Sequence, residues 1–478
     1  MSGIHRAAAD RLDPELLRLS LILAAGGIAP ALDTTVVNVA LATLGRSLHA
    51  TVPTLQWVTA GYLLALAMAI PLTGWAIERL GGKRLWLTSL GVFLFGSMLS
   101  GIAWNADALI VFRVLQGVGA GVLMPTLQTI LARAAGPRRI GRAITVITYI
   151  AVVAPILGPL AGGLVLSHLG WRWIFYLNVP ICVLGLYLAW RGLPADSGGR
   201  AAPLDAIGLT LLSPALAAAM YGLTQVGAQG RLGATAAWLP LAAGLLLLGA
   251  FIAHALRRGE TALLDLGLFR ERSFASATAL LFLSGLALYG AMLLLPLYYQ
   301  LVRGETALAA GLLLVPQGVG SLLTRWAGRL TDRIGPRPIV LGGMLAAALG
   351  TVAYAAAGPA TSLWLLGLSL VVRGAGLGAA NIAITAGAYQ SLRAEVIPHA
   401  SSAMRILQQM GGAFGTAVLA MILAAQPGFH GAFGALGRAM AFDAAFRWSL
   451  IFTAAGAALA FVLPRSGVKA QAGEVTAS

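Results

Sequence analysis

Charge is what this sequence has least of. Only 10% of its 478 residues are Asp, Glu, Lys or Arg, against about a quarter in an ordinary soluble domain. With 59% hydrophobic residues and a mean hydropathy of +0.85, the chain cannot cover its own surface in water, which excludes a soluble protein and implies an integral membrane one. Acid is scarcer still, with 16 Asp and Glu against 32 Lys and Arg for a net charge of +16. Lysine is nearly missing, since Lys83 and Lys469 stand alone among arginines. The basic residues sit in short loops between apolar stretches, the dress of cytoplasmic membrane loops and not of a nucleic-acid surface. Cys182 is the single cysteine, which excludes an intramolecular disulfide and a cysteine-based metal site. No HExxH, G-x-S-x-G or G-x-x-x-x-G-K-[ST] occurs, so no catalytic residue, metal or cofactor is expected and an ATP-driven pump is disfavoured. Residues 1–18 have no apolar core, so no cleaved signal peptide is expected.

What is present is a series of fourteen apolar stretches, each near the ~20 residues that cross a bilayer as helix. They run over 19–42, 54–76, 85–104, 108–131, 142–167, 173–193, 204–224, 235–256, 274–301, 307–326, 338–358, 361–388, 400–424 and 444–463. With the N-terminus placed inside, 24 Lys and Arg fall in the inner segments and 6 in the outer loops. Arg113 and Arg373 fall within spans. That bias predicts both termini in the cytoplasm.

The two halves repeat. "GWAIERLGGKR" (Gly74–Arg84) follows the second span and "GRLTDRIGPR" (Gly328–Arg337) the tenth, at an offset of 328 − 74 = 254. Arg113 and Arg373, each before a glycine-rich run, are offset by 373 − 113 = 260. These offsets predict an all-α membrane fold of two homologous six-helix bundles, 19–193 and 273–464, with an inserted helix pair at 204–256 and tails at 1–18 and 465–478. Parallel halves of this kind are the plan of a rocker-type secondary transporter.

Asp33 is the acid this segmentation leaves in mid-span. A carboxylate at that depth is costly, which points to proton or cation binding; the bland alternative is a permanent structural pair with an arginine. Arg113 is the expected partner, with Gln116 on the same helix face. "APILGPLAGG" in the fifth span has Pro155 and Pro159, which remove two helix hydrogen bonds, beside the side-chain-free Gly158, Gly162 and Gly163, a pattern for close packing and a hinge. Gly74, Glu78, Arg79, Gly81 and Lys83, repeated as Gly328, Asp332 and Arg333, suit a latch between helices that forms in one conformation and breaks in another. Asn38, Gln56, Gln116, Tyr149, Tyr289, Gln317, Asn381 and Gln409 are candidates for a substrate cavity, although such residues often only bond helix to helix.

The whole chain resembles the 14-helix drug:proton antiporter branch of the major facilitator superfamily. "LDTTVVNVAL" (Leu32–Leu41) is similar to that branch's first-helix motif, whose Asp corresponds to Asp33. "GWAIERLGGKR" resembles the superfamily's loop motif, with Glu78 in place of Asp and Gly82 in place of a basic residue. "RVLQGVGAG" (Arg113–Gly121) looks like the fourth-helix motif, and "GPLAGG" (Gly158–Gly163) like the core of the antiporter motif of the fifth. "WRWIFYLNVP" (Trp171–Pro180) and "LLDLGLFRERSF" (Leu263–Phe274) also look like that branch. The resemblance implies a proton-coupled exporter of small lipophilic or amphiphilic compounds, working by alternating access in a bacterial inner membrane. Its partners would be protons, the substrate and lipid, with a periplasmic adaptor where the host has an outer membrane, and the unit is expected to be a monomer. With no second mid-span acid, neutral or monocationic substrates are expected. The rivals are an importer of a sugar, anion or metabolite on the same fold, against which the fifth span argues, and a membrane-embedded enzyme or sensor, for which no catalytic constellation is visible.

Overall fold

The computed structural model describes residues 14–50, 52–136, 139–141, 143–145, 158, 161–166, 168–195, 199, 203–229, 235–390, 392–426 and 434–463. No strand occurs among them. The helices of the first half are α1 (Pro14–Ser47), α2 (Val52–Ala69), α3 (Leu72–Leu80), α4 (Gly82–Gly101), α5 (Ala106–Ala135), α6 (Arg172–Tyr176) and α7 (Asn178–Gly192). The inserted pair is α8 (Ala206–Gln229) and α9 (Thr235–Arg258). In the second half come α10 (Arg272–Leu301), α11 (Ala307–Leu313), α12 (Val315–Leu322), α13 (Arg325–Ile334), α14 (Pro336–Val352), α15 (Leu363–Gln390), α16 (Ile397–Ala424) and α17 (Gly434–Leu459). Helix is the form in which apolar segments satisfy their own backbone groups without water.

Among the described residues, ten helices are long and apolar enough to cross a membrane, or eleven when α2 and α3 count as one span bent by 59°. That bend falls at Ile70–Pro71, where proline cannot supply a helix N–H. Of the other expected spans, one is α4, one is the partly described stretch at 142–167, and one is broken into α11, α12 and α13. The helices also outrun several expected boundaries. α1 begins at Pro14 and ends at Ser47, and α17 begins ten residues before 444, which puts Asp443 within a helix where the sequence reading set it at a span end. α16 begins at Ile397, so Arg405, near the start of the expected span 400–424, lies two turns inside a helix.

Packing repeats between the halves. In the first, α5 lies against α2 and α4; in the second, α15 lies against α12 and α14. A Cβ on Gly117 of α5 would collide with the Tyr62 carbonyl, and one on Gly374 of α15 with the Gln317 carbonyl. The two glycines are 257 apart and their partners 255, so the repeat seen in the loops extends to how the helices touch. α8 packs on α9, on α2 and on α16, and so bridges the halves. Ser213 of α8 donates to the Met68 carbonyl at 2.7 Å, and Tyr221 stacks on Trp57 with ring centroids 5.5 Å apart.

Candidate functional site

Five helices of the first half converge on Asp33, whose residue exposure is 1%. From α5, Arg113 forms a direct ion pair with Oδ2, and Gln116 Nε2 donates to Oδ1 at 3.0 Å. From α7, Asn178 Nδ2 donates to the same Oδ1 at 2.9 Å. All three partners are donors, which is what an ionised carboxylate accepts. Behind them, Asn178 Nδ2 also lies 3.0 Å from Ser97 Oγ of α4, whose hydroxyl donates to the Phe175 carbonyl at 2.9 Å. Arg113 donates to Gln116 Oε1 at 2.7 Å and to the Val58 carbonyl at 3.3 Å. Its guanidinium lies 4.1 Å from the centre of the Tyr62 ring on α2, near enough for a cation–π contact.

A buried ion pair tolerates desolvation only where further hydrogen bonds satisfy both partners. Two polar atoms remain unsatisfied at this site, the Tyr62 hydroxyl and Asn178 Oδ1. The sequence reading placed Asp33, Arg113 and Gln116 together and missed Asn178, Ser97 and Tyr62. Asn178 lies in the quoted "WRWIFYLNVP" stretch and is a polar residue inside an apolar helix, so a signal for it was present.

In the second half Arg373 stands where the packing repeat has Gln116, one residue before Gly374 as Gln116 is before Gly117, with its backbone against Gly350 as that of Gln116 is against Gly96. Among the described residues no acid pairs with it. Arg373 is 2% exposed and donates to Gln317 Oε1 at 3.0 Å, to the Ala287 carbonyl at 2.8 Å and to Thr351 Oγ1 at 3.2 Å. Ala287 is 254 residues after Asp33, the offset of the loop repeat, so a neutral carbonyl stands where the first half has a carboxylate. Gln317 is thus committed to Arg373. Asn381 Oδ1 accepts from Gln408 Nε2 at 3.4 Å, and Tyr289 packs where a Cβ on Gly412 would fall. Gln409 instead lies with Leu216 and Met220 of α8 where α2, α8 and α16 meet. Tyr149, Pro155 and Pro159 lie outside the described residues, as do the side chains of Asn38 and Gln56. Gly158 and Gly162 meet α1 at Thr35 and Val36, within three residues of Asp33, while Gly163 faces nothing within 4 Å.

The hydrogen bonds described between the halves lie at the end with the arginine-rich loops. Glu78 Oε1 is 3.1 Å from His399 Nε2 on α16, and Gly74 presents the bare backbone on which the His399 ring rests. Reciprocally, Asp332 Oδ1 accepts the Gly141 N–H at 3.0 Å. His399 and Gly141 are 258 apart, so each acid reaches the equivalent place in the opposite half. A Cβ on Gly328 would strike the Gly141 carbonyl. Thr129 donates to Ser401 Oγ at 3.0 Å. Gly81 and Gly335 end their helices at φ 82° and 88°, values that favour glycine. Lys83 turns inward to the Leu193 carbonyl at 2.9 Å, and Arg79 and Arg333 are exposed.

The His399 contacts continue into a second cluster. His399 Nδ1 is 3.2 Å from the Leu263 carbonyl, and the Leu263 N–H donates to Asp205 Oδ2 at 3.0 Å. Asp205 also accepts from the Gly208 N–H at 2.9 Å and meets His254 Nε2 of α9 at 2.9 Å and Arg258 at 3.4 Å. Burial opposes charge on this carboxyl, but the backbone N–H of Gly208, the His254 ring and the backbone N–H of Leu263 outweigh it and hold its pKa below the ordinary value.

Known proteins resemble this chain along most of its length. The profile of the Major Facilitator Superfamily matches residues 23–416. A multidrug resistance protein B homolog of Mycobacterium tuberculosis is 38% identical over 425 residues, covering 88% of this chain and 79% of that protein. The tetracenomycin C resistance and export protein of Streptomyces glaucescens is 30% identical over 435 residues, covering 89% and 79%. The multidrug export protein EmrB of Haemophilus influenzae is 31% identical over 407 residues, covering 84% and 79%. Among solved structures, a double tryptophan mutant of XylE superposes with a TM-score of 0.65 at 16% identity, over 95% of this chain and 97% of that one, a likeness of fold alone.

Proposed function

This chain belongs to the Major Facilitator Superfamily and to its multidrug efflux transporters, and from that premise we propose that it is a proton-coupled antiporter exporting small lipophilic or amphiphilic compounds by alternating access. As a transporter it is not an enzyme. The observation that carries the proton coupling is the enclosure of Asp33 by Arg113, Gln116 and Asn178, with no equivalent acid beside Arg373 among the described residues. One proton site in one half gives the two halves different work.

The arginine-rich end is cytoplasmic in this reading, both termini lie there, and the contacts of Glu78 and Asp332 make the form described closed to the cytoplasm. Asp33 then exchanges protons from the outer side. Protonation cancels the charge that holds Arg113, frees its guanidinium for Gln116, the Val58 carbonyl and the Tyr62 face, and so changes how α1 and α5 pack. The Glu78–His399 and Asp332–Gly141 contacts give way as the halves rock, and the proton leaves inward before substrate is taken up again. No cofactor takes part; the proton gradient drives the cycle. The unit is a monomer in the bacterial inner membrane, with a periplasmic adaptor where an outer membrane must also be crossed. Relatives named for multidrug resistance and for tetracenomycin C resistance and export support drug efflux.

The test is reconstitution in liposomes with an imposed pH gradient, following lumenal pH and the movement of ethidium, a neutral dye and an acidic dye. Substrate-dependent proton flux is expected in the wild type and lost in Asp33→Asn. Equal flux in both proteins would reduce Asp33 to a structural partner of Arg113.

A further inference from the structure

We propose that Arg405 is a binding group for the acidic function of the substrate, so that lipophilic weak acids are the preferred cargo. This rests on the export reading above and narrows its substrate class. Arg405 lies eight residues into α16, about 12 Å from its start at 1.5 Å per residue, and is half-buried. Ser401, Arg405 and Gln408 are spaced i, i+4 and i+7, so they share one helix face. At Ser401 that face meets Thr129 of the first half, and α16 as a whole packs against α3 and α5 of that half. Arg405 and Gln408 are therefore the next groups on the seam, further in than the latch. In the first half, the Tyr62 hydroxyl of α2 is buried without a hydrogen-bond partner.

Among the described residues no carboxylate pairs with Arg405. Asp33, the acid at the centre of the first half, is engaged by Arg113. Arg405 donates instead to Gln408 Oε1 at 3.1 Å, and Gln408 Nε2 in turn to Asn381 Oδ1 at 3.4 Å. Neutral amides hold the guanidinium in place without neutralising it. Arg373, the other arginine deep in this half, has accepting groups on three of its nitrogens; Arg405 keeps donors in hand. An unneutralised cation inside a bundle is costly, and an anion arriving from the seam relieves that cost through charge-assisted hydrogen bonds, bidentate where the group is a carboxylate. The cation also disfavours positively charged cargo, contrary to the expectation drawn from the scarcity of acids.

The experiment is calorimetric titration of the detergent-purified full chain with three ligands sharing one aromatic body: 1-naphthaleneacetate, 1-naphthaleneacetamide and 1-naphthylmethyl-trimethylammonium. In the wild type the acetate is expected to bind tighter than the amide by on the order of tenfold to a hundredfold, the range for a hydrogen bond to a charged group, with the cation weakest. Arg405→Gln should bring the acetate down to the amide and leave the amide unchanged. Arg405→Lys, which keeps the charge and loses the planar fork, should keep a reduced preference and guards against a Gln variant that misfolds. Equal binding of acetate and amide to the wild type, or an unchanged preference in Arg405→Gln, overturns the proposal, as does an Arg405→Lys protein that binds both alike. The liposome assay separates the two readings. Lost preference with intact substrate-dependent proton flux removes the acid site and leaves export standing, whereas intact preference without flux does the reverse.

Discussion

Asn178 supplies the third donor to Asp33 from a helix far away in sequence, and its amide bonds Ser97 as well. Losing it removes two buried contacts at once and leaves Oδ1 of Asp33 to Gln116 alone. Asn178→Ala is expected to lower the stability of the detergent-solubilised protein by about 1–3 kcal/mol, the cost of depriving a buried polar group, while coupled flux survives because Asp33 and Arg113 remain. A denaturation series with an unshifted midpoint would show that Asn178 only fills space. Asp33 itself was legible because one acid in an uncharged run stands out, and Arg113 because it lies at a comparable depth in its span. Asn178 carried only the weak signal of a polar residue in an apolar stretch and Tyr62 none, since uncharged polar residues are common in membrane helices and mark no depth.

At the scale of elements, the inserted pair α8 and α9 is fastened to the rest of the molecule by Asp205. One carboxylate ties the start of α8 to the end of α9 and to the loop at Leu263. Its pKa is depressed in the folded protein, so its contribution is present above the unfolded value of about 3.9 and is lost as pH falls through the lower folded value. Thermal unfolding of wild type and Asp205→Asn should therefore differ by a constant margin from neutral pH down to about 5, shrink only below the ordinary carboxyl value of about 3.9, and converge once pH has fallen past the lower folded value. A margin that persists in acid would assign the difference to something other than the charge. The sequence marked this place only as the end of a proline- and glycine-bearing linker. That α9 returns to cap the same residue depends on the register of two packed helices, which hydropathy does not carry.

For the whole molecule, the contacts that close the arginine-rich end turn on His399. Its two ring nitrogens face the Leu263 carbonyl and the Glu78 carboxylate, both acceptors, with the Asp265 charge nearby. Only the doubly protonated ring donates to both. The closed form should therefore be favoured at about pH 6 over about pH 8, read as the distance between spin labels on the arginine-rich ends of the two halves. Glu78→Gln and His399→Gln should each lengthen that distance and remove most of its pH dependence. Because they break one shared contact, the double variant should fall short of the sum of the two; full additivity would mean that they act on different gates. The loop motif marked Glu78 and Asp332 as latch candidates, and both make contacts between the halves, but the sequence reading did not single out His399, a lone histidine near a helix start.

Several features were settled along the chain alone: a membrane protein, an all-helical fold, an internal repeat near 254–260 residues, and one acid out of place. Each follows from local bookkeeping, because lipid imposes span length on consecutive residues and a repeat is a comparison of the chain with itself. Only the tertiary structure decided which donors enclose Asp33, that a backbone carbonyl meets Arg373 where the first half has an acid, and that Arg405 lies on the seam between halves. These depend on where each helix starts and how it is rotated about its axis. Small residues at the contacts, such as Gly117 against the Tyr62 carbonyl and Gly374 against that of Gln317, fix those rotations. Their partners lie tens of residues away, beyond what any pattern of neighbours in the chain records.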